Sequence, residues 1–265
     1  MSAQNQLCLH TGGISATLEQ IENVKTPDKT KTYQPVTHME LINLVKEQAH
    51  RSLRGYDFID ESYGVSPKSG ETFGQKLFGV LTYRHQDFEP GISGMDLSIG
   101  VRNSYDQSLA AGFCVGTKVF VCDNLCFSGD IRVSRKHTGD ALSDLQSLVS
   151  NAMMIAPGKH RSIEHDAEVM RDYELTNDQA YAILGVAYGR EVLKPRQLLR
   201  AREAWNKPPQ KEFEDRNLWS LYNSMTEALK SSTVREVLET HSFAHALAMN
   251  EGVEIAEGFT PRVVA

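Results

Sequence analysis

The sequence predicts an α+β fold in which an antiparallel β-sheet meander carries a packed N-terminal helix and is followed by a helical C-terminal half. Three observations predict it. A capped amphipathic segment begins near residue 37, alternating apolar and polar residues follow to about residue 137, and apolar residues then recur at every third or fourth position. Alternation is typical of strands, whereas a spacing of three and four is typical of helices.

The chain divides into three regions by this pattern. Residues 1–34 are polar and lack an amphipathic period, so we expect an extended N-terminal arm. We expect the α+β sheet core over residues 35–140. Residues 141–265 are expected to form a helical region packed on or beside that core.

The core is expected to begin with a helix and to continue as strands. Thr37 and Glu40 form a capping box, which predicts a helix to about Leu53. Proline and glycine between residues 66 and 71 predict a hairpin turn, and Gly116 marks a bend between two strands. Alternating patterns predict strands at residues 56–65, 77–85, 95–103, 109–115, 117–122 and 130–135.

The C-terminal half is predicted to be helical from about residue 142. Thr176 and Gln179 form a second capping box, which opens a helix that ends near Gly189. A third capping box begins at Thr233. Two further helices, separated by a pair of prolines, are predicted at residues 195–205 and 217–230.

Composition limits the classes of function. A formal net charge of -6 argues against a protein that coats polyanions through overall positive charge, so any nucleic-acid site must be local. No apolar run is long enough to span a membrane, and the first residues lack the basic start and apolar stretch of a secretion signal. We therefore expect a cytoplasmic protein with no membrane partner.

The four cysteines are expected to be reduced, because the chain shows no export signal. Cys122, Cys126 and His137 have a spacing that a zinc site can use. Cys114 and Cys122 lie in apolar, strand-like runs, however, where free cysteine usually packs as a small hydrophobe. The sequence therefore predicts no cofactor.

Standard catalytic motifs are missing from the sequence. It contains no nucleophile elbow, no phosphate-binding lysine loop, no zinc-protease motif and no dinucleotide-binding glycine motif. Asp123 and Asn124, at a predicted strand end, offer oxygen ligands for Mg²⁺. A turn in which these residues bond to their own backbone explains them better. We therefore predict no catalytic residue, with Asp123 and Asn124 as the alternative of a metal site.

Two groups of basic residues are the candidate nucleic-acid contacts. The first follows a predicted edge strand, where Arg132, Arg135 and Lys136 bind phosphates or, alternatively, protect the edge from aggregation. Tyr83 is the candidate for stacking on a base, and His137 assists. Two cations in neighbouring strands extend the group if they face the same way, namely Arg84 and Lys118.

The second group lies between residues 190 and 211, where seven basic residues accompany two acidic ones. Arg196 and Arg200 are four positions apart, so they share a helix face and can contact successive phosphates. The alternative is an ordinary solvated helix face. Local enrichment in an acidic chain is the pattern expected of a confined polyanion site.

Three segments carry a resemblance to a known family. They read N-S-Y-D-Q-S from Asn103, V-F-V-C-D-N-L-C-F from Val119, and R-K-H-T-G-D from Arg135. Together they resemble the phage and plasmid-like protein family known as domain of unknown function nine-three-two, from about residue 35 into the helical region. The resemblance implies a mobile-element protein active in DNA replication, recombination or evasion of host defence. It carries over no catalytic residue.

The predicted architecture is also similar to that of phage single-strand annealing proteins, which hold a strand in rings or filaments without hydrolysing nucleotides. We therefore expect a non-enzymatic, homo-oligomeric protein that binds single-stranded DNA and anneals it. The first alternative is an anti-restriction or anti-defence protein that binds a host defence or recombination protein, for which net acidity is natural. The second is a Mg²⁺-dependent nuclease that uses Asp123 and Asn124.

Overall fold

The computed structural model describes residues 13–66, 73–87, 95–119, 125–126, 132–232 and 236–258 of the chain. It confirms the predicted α+β class. An antiparallel sheet lies in the N-terminal half, and the C-terminal half is mostly helical.

The sheet has the predicted meander topology. Its order is β1-β2-β3-β4-β5, and both β6 and β7 pair with the far edge of β5, all antiparallel. The strands are β1 Ile14–Ser15, β2 Tyr56–Val65, β3 Lys76–His85, β4 Met95–Ser104, β5 Ala111–Val119, β6 Leu125–Cys126 and β7 Arg132–Arg135.

One predicted strand boundary is wrong. Gly116 does not separate two strands, because it pairs with Ser98 in the unbroken register between β4 and β5. The two strands predicted at this position are one strand. A glycine within a strand is tolerated here because the neighbouring strand supplies the hydrogen bonds on each side of it.

The helices follow the predicted order. Hydrogen bonds confirm the capping boxes at Thr37 and Thr176, whereas the one predicted at Thr233 lies outside the described residues. No helix in the described part of the chain is long and apolar enough to cross a membrane. The helices are α1 Leu18–Glu22, α2 His38–Ser52, α3 Ala141–Asp172, α4 Asn177–Gly189, α5 Pro195–Asn206, α6 Leu218–Leu229, α7 Val237–Leu247 and α8 Val253–Ala256.

Residues 13–34 do not form the predicted extended arm. Ile14 pairs with Val65 through β1, and Thr17 caps α1, which buries Ile21 in the core. Tyr33 is also buried, and its hydroxyl donates to a main-chain carbonyl at 3.2 Å. A five-residue helix with one buried residue is too short to show an amphipathic period, which explains why the sequence pattern missed it.

The molecule has two apolar cores that share one helix. The first lies between one face of the sheet, α2 and the start of α3, and the second lies among α3 to α8. Helix α3 has 32 residues and is about 48 Å long. It contributes to the first core as far as Ala156 and to the second from Ile163 onward. Pro157 lies at the junction, where it removes one helical hydrogen bond.

Candidate nucleic-acid interface

Arg84 is held by a buried carboxylate. Its Nε and Nη2 each donate to an oxygen of Asp96 at 3.0 Å, from β3 to β4. Asp96 is only 3% exposed, and its hydrogen bond raises the pKa of Arg84. Such bidentate pairs are among the strong polar interactions in proteins. The predicted phosphate contact at Arg84 therefore loses its basis, because this guanidinium ties two strands together.

Tyr83 is not the exposed stacking residue that we expected. It is 5% exposed and belongs to the sheet core. Burial, followed by the nearby Glu61 carboxylate, raises its pKa to about 12. Its cross-strand partner Phe58, at 5.5 Å and edge-on, lies at the rim of the sheet and is 47% exposed. The sequence pattern placed Tyr83 at the polar end of β3, but the buried part of this strand extends as far as Tyr83 and ends before Arg84.

In the rest of the first basic group, one exposed and unpaired cation lies among the side chains that the structure describes. The side chains of Lys118 and Arg132 lie outside the described part of the structure. Arg135 donates its Nε to Asp144 at 2.7 Å. Lys136 is exposed and has no carboxylate partner among the described residues. Among the members of the predicted stripe whose side chains are described, Lys136 is therefore the one available charge.

His137, predicted to assist in nucleic-acid binding, makes a structural hydrogen bond. It is 5% exposed, and its Nδ1 accepts the main-chain N–H of Val36 at 3.0 Å. Burial lowers its pKa, so the ring is neutral at neutral pH. A neutral, buried ring does not provide a cation at the surface, so the assisting role stays a prediction to which this geometry adds no support.

Asn103, which like His137 belongs to the segments that resemble the family, also bonds to the main chain of Val36. The Asn103 side chain donates to the Val36 carbonyl at 2.8 Å and to Nδ1 of His38 at 3.1 Å. Nε2 of His38 donates to the Gly74 carbonyl at 2.8 Å, and its ring stacks on Tyr105 with centroids 3.9 Å apart. Burial lowers the pKa of His38 to about 4. These contacts fix the start of α2, which is a structural role for the family-like motif.

The residues considered for a metal remain without structural support. Asp123, Asn124 and Cys122 lie outside the described residues. Within the ranges that are described, no group of three or more His, Cys, Asp or Glu side chains is arranged to hold a metal ion. The metal-dependent alternative stays a prediction.

The second basic group lies on the turn after α4, on α5 and on the segment that follows α5, and α4 and α5 form an antiparallel pair. The Tyr181 hydroxyl near the start of α4 donates to the Asn206 side chain at the end of α5, at 2.9 Å. The connecting turn has Glu191 at a φ of 59°, a backbone conformation that only a few non-glycine residues adopt. The two helices therefore fold back on each other, with the start of α4 beside the end of α5.

Three cations of this group are neutralised by carboxylates from later helices. The pairs are Arg190 with Glu251, Lys194 with Glu236 at 2.8 Å, and Arg200 with Glu227 at 2.9 Å.

Glu227 bonds to two cations at once, since Lys230 is also 2.6 Å away. Burial alone would raise the pKa of Glu227, but the hydrogen bonds from Lys230 and Arg200 outweigh it and lower the pKa. The predicted phosphate contact at Arg200 is therefore engaged by a charged carboxylate.

Four cations of the second group remain exposed, and none has a carboxylate partner within the described part of the chain. Arg196, predicted as a phosphate contact, is one of them. The others are Arg202, Lys207 and Lys211.

Exposed apolar and aromatic side chains accompany these cations. Tyr181 and Tyr188 are seven residues apart on α4, which corresponds to about 10.5 Å along the helix. Gly185 lies between them, and a Cβ at this position would meet no atom within 4 Å. On α5, Leu199 is 57% exposed and Arg202 follows three residues later. We define the hairpin face as the surface formed by Tyr181, Gly185, Tyr188, Arg196, Leu199 and Arg202.

The sequence contained a signal for this surface. Tyrosines separated by two helical turns with a glycine between them lie on one face of a predicted helix. The signal was missed because aromatic residues were considered only in the strand region. An aromatic pair beside a basic helix is chemically able to stack bases and contact phosphates.

The family model described as Domain of unknown function (DUF932) matches residues 30–248, and the chain belongs to that family. The matched range includes both the signature contacts at Val36 and the whole hairpin face. Neither a curated protein nor a solved structure matches the chain.

Proposed function

We propose that this member of the DUF932 family is a non-enzymatic protein that binds single-stranded DNA through its hairpin face. One observation carries the proposal: α4 carries two exposed tyrosines, and the antiparallel helix α5 carries two exposed arginines that the described carboxylates leave unpaired. In a mobile element, a cytoplasmic protein of this kind would act in recombination or replication by annealing strands as a homo-oligomer.

The electrostatics favour a confined site over general coating. The whole chain carries a net charge of -6, so long-range attraction to DNA is weak and binding depends on local contacts. Each base stacked on an aromatic ring contributes about 1–3 kcal/mol to binding. Phosphate contacts add a salt-dependent contribution, because they release counterions from the strand.

Single strands fit this surface better than duplexes. Tyrosine rings on a helix surface can stack only on bases that are unpaired, whereas a duplex offers its bases only at the groove edges. The open position at Gly185 leaves room between the two rings. The antiparallel hairpin, closed by the bond from Tyr181 to Asn206, also differs from the widely angled helix pair that reads a major groove.

Fluorescence anisotropy of labelled oligonucleotides across a salt series tests the proposal. We expect tighter binding of single strands than of duplexes, without cleavage. The variant Arg196→Gln/Arg202→Gln should reduce the salt slope by about 1.4, because two phosphate contacts are lost. Lys29→Gln/Lys31→Gln removes the same charge from an exposed segment elsewhere and should keep the wild-type slope. Equal slopes for the two double variants would reject the hairpin face as the site.

A second candidate function rests on a different surface, the outer edge of β2. Phe58 and Ile59 are 47% and 44% exposed, and Asp57 and Asp60 flank them. No strand of the described part pairs with this edge between residues 57 and 61. An unpaired, acidic edge with exposed apolar residues is typical of a protein contact site. This edge supports the alternative that the protein binds and inhibits a host defence protein.

Inhibition of purified restriction endonucleases tests this second candidate. If the β2 edge binds the enzyme, Phe58→Lys/Ile59→Lys abolishes inhibition, whereas Phe243→Lys, at another exposed phenylalanine, does not. Inhibition that survives the β2 variant, or is never observed, counts against this candidate.

A further inference from the structure

A cavity of about 350 Å³ lies between the N-terminal segment, the turn from β4 to β5 and the residues that follow β7. Its volume falls within the range of small-molecule sites, which is about 300–1,000 Å³. The lining residues are Thr32, Tyr33, Gln107, Ser108, Leu109, Ala110, Lys136, His137 and Thr138.

The described lining of this cavity is rich in hydrogen-bond donors and, among those residues, holds no carboxylate. Lys136 provides a positive charge, Gln107 an amide and Thr138 a hydroxyl, whereas the Ser108 hydroxyl is engaged by Asp106. The nearest acid, Asp106, accepts from the Ser108 main-chain N–H at 3.0 Å and pairs with Lys76 at 3.3 Å. Donors without an opposing carboxylate are the chemistry that binds an oxyanion.

His137 adds a donor that no protein group satisfies. Because Nδ1 accepts from Val36, the proton of the neutral ring is on Nε2, and Nε2 is buried without a hydrogen-bond partner. Nε2 is closed to solvent, so this donor lies behind the cavity wall and the ring contributes to the lining as a neutral group.

Gln107 occupies a backbone conformation that glycine would adopt more easily. Its φ is 60°, in the left-handed region, and it stands in the turn that lines the cavity. Non-glycine residues in such backbone conformations cluster at ligand-binding sites, where the surrounding structure compensates for the strain. An amide at the edge of an anion site fits this pattern, because it donates to the ligand.

We propose that this cavity binds a phosphate group, with Lys136 and Gln107 as the accessible donors. The phosphate belongs to a free mononucleotide or to a nucleotide within a bound strand, and the second source rests on the proposed function. Phosphate provides several acceptor oxygens for the convergent donors, and the apolar part of the lining at Leu109 and Ala110 accommodates an organic group.

Isothermal titration calorimetry with thymidine monophosphate, inorganic phosphate and uncharged thymidine tests the proposal. We expect the monophosphate to bind and thymidine not to bind. Lys136→Gln should weaken binding about tenfold, the effect of losing one charge-assisted hydrogen bond. Lys211→Gln removes the same charge from an exposed position away from the lining and should have no effect.

Gln107→Gly separates ligand binding from folding. Glycine relieves the positive φ, so the melting temperature should stay the same or rise while the phosphate affinity falls. A glycine variant that binds as tightly as the wild type, or equal heats for thymidine monophosphate and thymidine, would overturn the proposal. So would a failure of both phosphate ligands and oligonucleotides to respond to Lys136→Gln.

Measuring the affinity of Lys136→Gln for single-stranded oligonucleotides distinguishes the two sources of the phosphate. Loss of single-strand affinity in Lys136→Gln assigns the phosphate to a bound strand. Monophosphate binding that depends on Lys136, with unchanged strand binding, assigns it to a free nucleotide. The hairpin-face variant Arg196→Gln/Arg202→Gln reports on the proposed function by itself, so either proposal can fail without the other.

Discussion

The sheet half and the helical half of the molecule use their basic residues differently. In the sheet half, Arg84 and Arg135 bind carboxylates within the fold, and Lys136 alone is left available among the described candidates. On the helical hairpin, three cations of the second basic group are paired in the same way, but Arg196 and Arg202 on α5 are exposed and no described carboxylate pairs with them. The difference teaches that the density of basic residues in a sequence does not measure available positive charge, because distant carboxylates decide which cations remain free.

The polar contacts that converge at Val36 make the sheet half the more vulnerable to mutation. Asn103→Ala removes the donors to the Val36 carbonyl and to His38, and both acceptors are buried. We expect a loss of about 3 kcal/mol in the free energy of unfolding, since two buried groups lose their partners. Urea denaturation measures this value. Asn206→Ala, which removes an exposed hydrogen bond on the hairpin, should lower it by less than about 0.5 kcal/mol. Similar losses for both variants would break the comparison.

Acid should act on the sheet half through His38. Burial lowers its folded-state pKa to about 4, below the unfolded value of 6.5. Between these values the unfolded chain binds the proton and the folded chain does not, so stability present above pH 6.5 is lost as the pH falls towards 4. The loss is at most about 3 kcal/mol for this residue. His38→Gln should flatten the pH dependence of urea midpoints, whereas His165→Gln, at an exposed position, should not. A wild-type slope in His38→Gln would contradict the assignment.

Arg84 and Arg196 offer a direct test of paired against unpaired cations. Arg84→Gln leaves the buried Asp96 carboxylate without its cation, and we expect about 2 kcal/mol lower stability. Single-strand affinity, measured where this variant is folded, should not change. Arg196→Gln should show the opposite pattern, with unchanged stability and weaker binding, because nothing in the described fold depends on it. Loss of DNA affinity in Arg84→Gln would return the sheet half to the candidate interface.

Local chemistry made much of the fold predictable. The capping boxes at Thr37 and Thr176 depend on residues three positions apart, and the structure confirms both. The change from alternating to helical spacing placed the boundary between sheet and helices correctly. The bend at Gly116 and the arm over residues 13–34 were wrong, because strand register and the docking of a short helix depend on residues distant in sequence.

The candidate interface was less predictable, for the same reason. Asp96 is 12 residues from Arg84, and Glu227 is 27 residues from Arg200, so no local pattern shows that these cations are paired. Tyr83 alternates onto the buried face of β3, and a sequence pattern gives this face only when the register is known. Arg196 is exposed, as predicted, because it lies on the outer side of an amphipathic helix. The helical period of the apolar residues is enough to show which side chains of such a helix face the solvent.

The smallest expected effect concerns the tyrosines of the hairpin face. Tyr188 is 47% exposed, and a base stacked on it would contribute at least about 1 kcal/mol, so Tyr188→Ala should weaken single-strand binding about fivefold to tenfold. Tyr188→Phe keeps the ring and should retain the affinity. Tyr83→Phe, which changes a buried tyrosine in the sheet, should leave the affinity unchanged. If phenylalanine binds as weakly as alanine at position 188, the hydroxyl rather than the ring makes the contact, and stacking is not the mode of recognition.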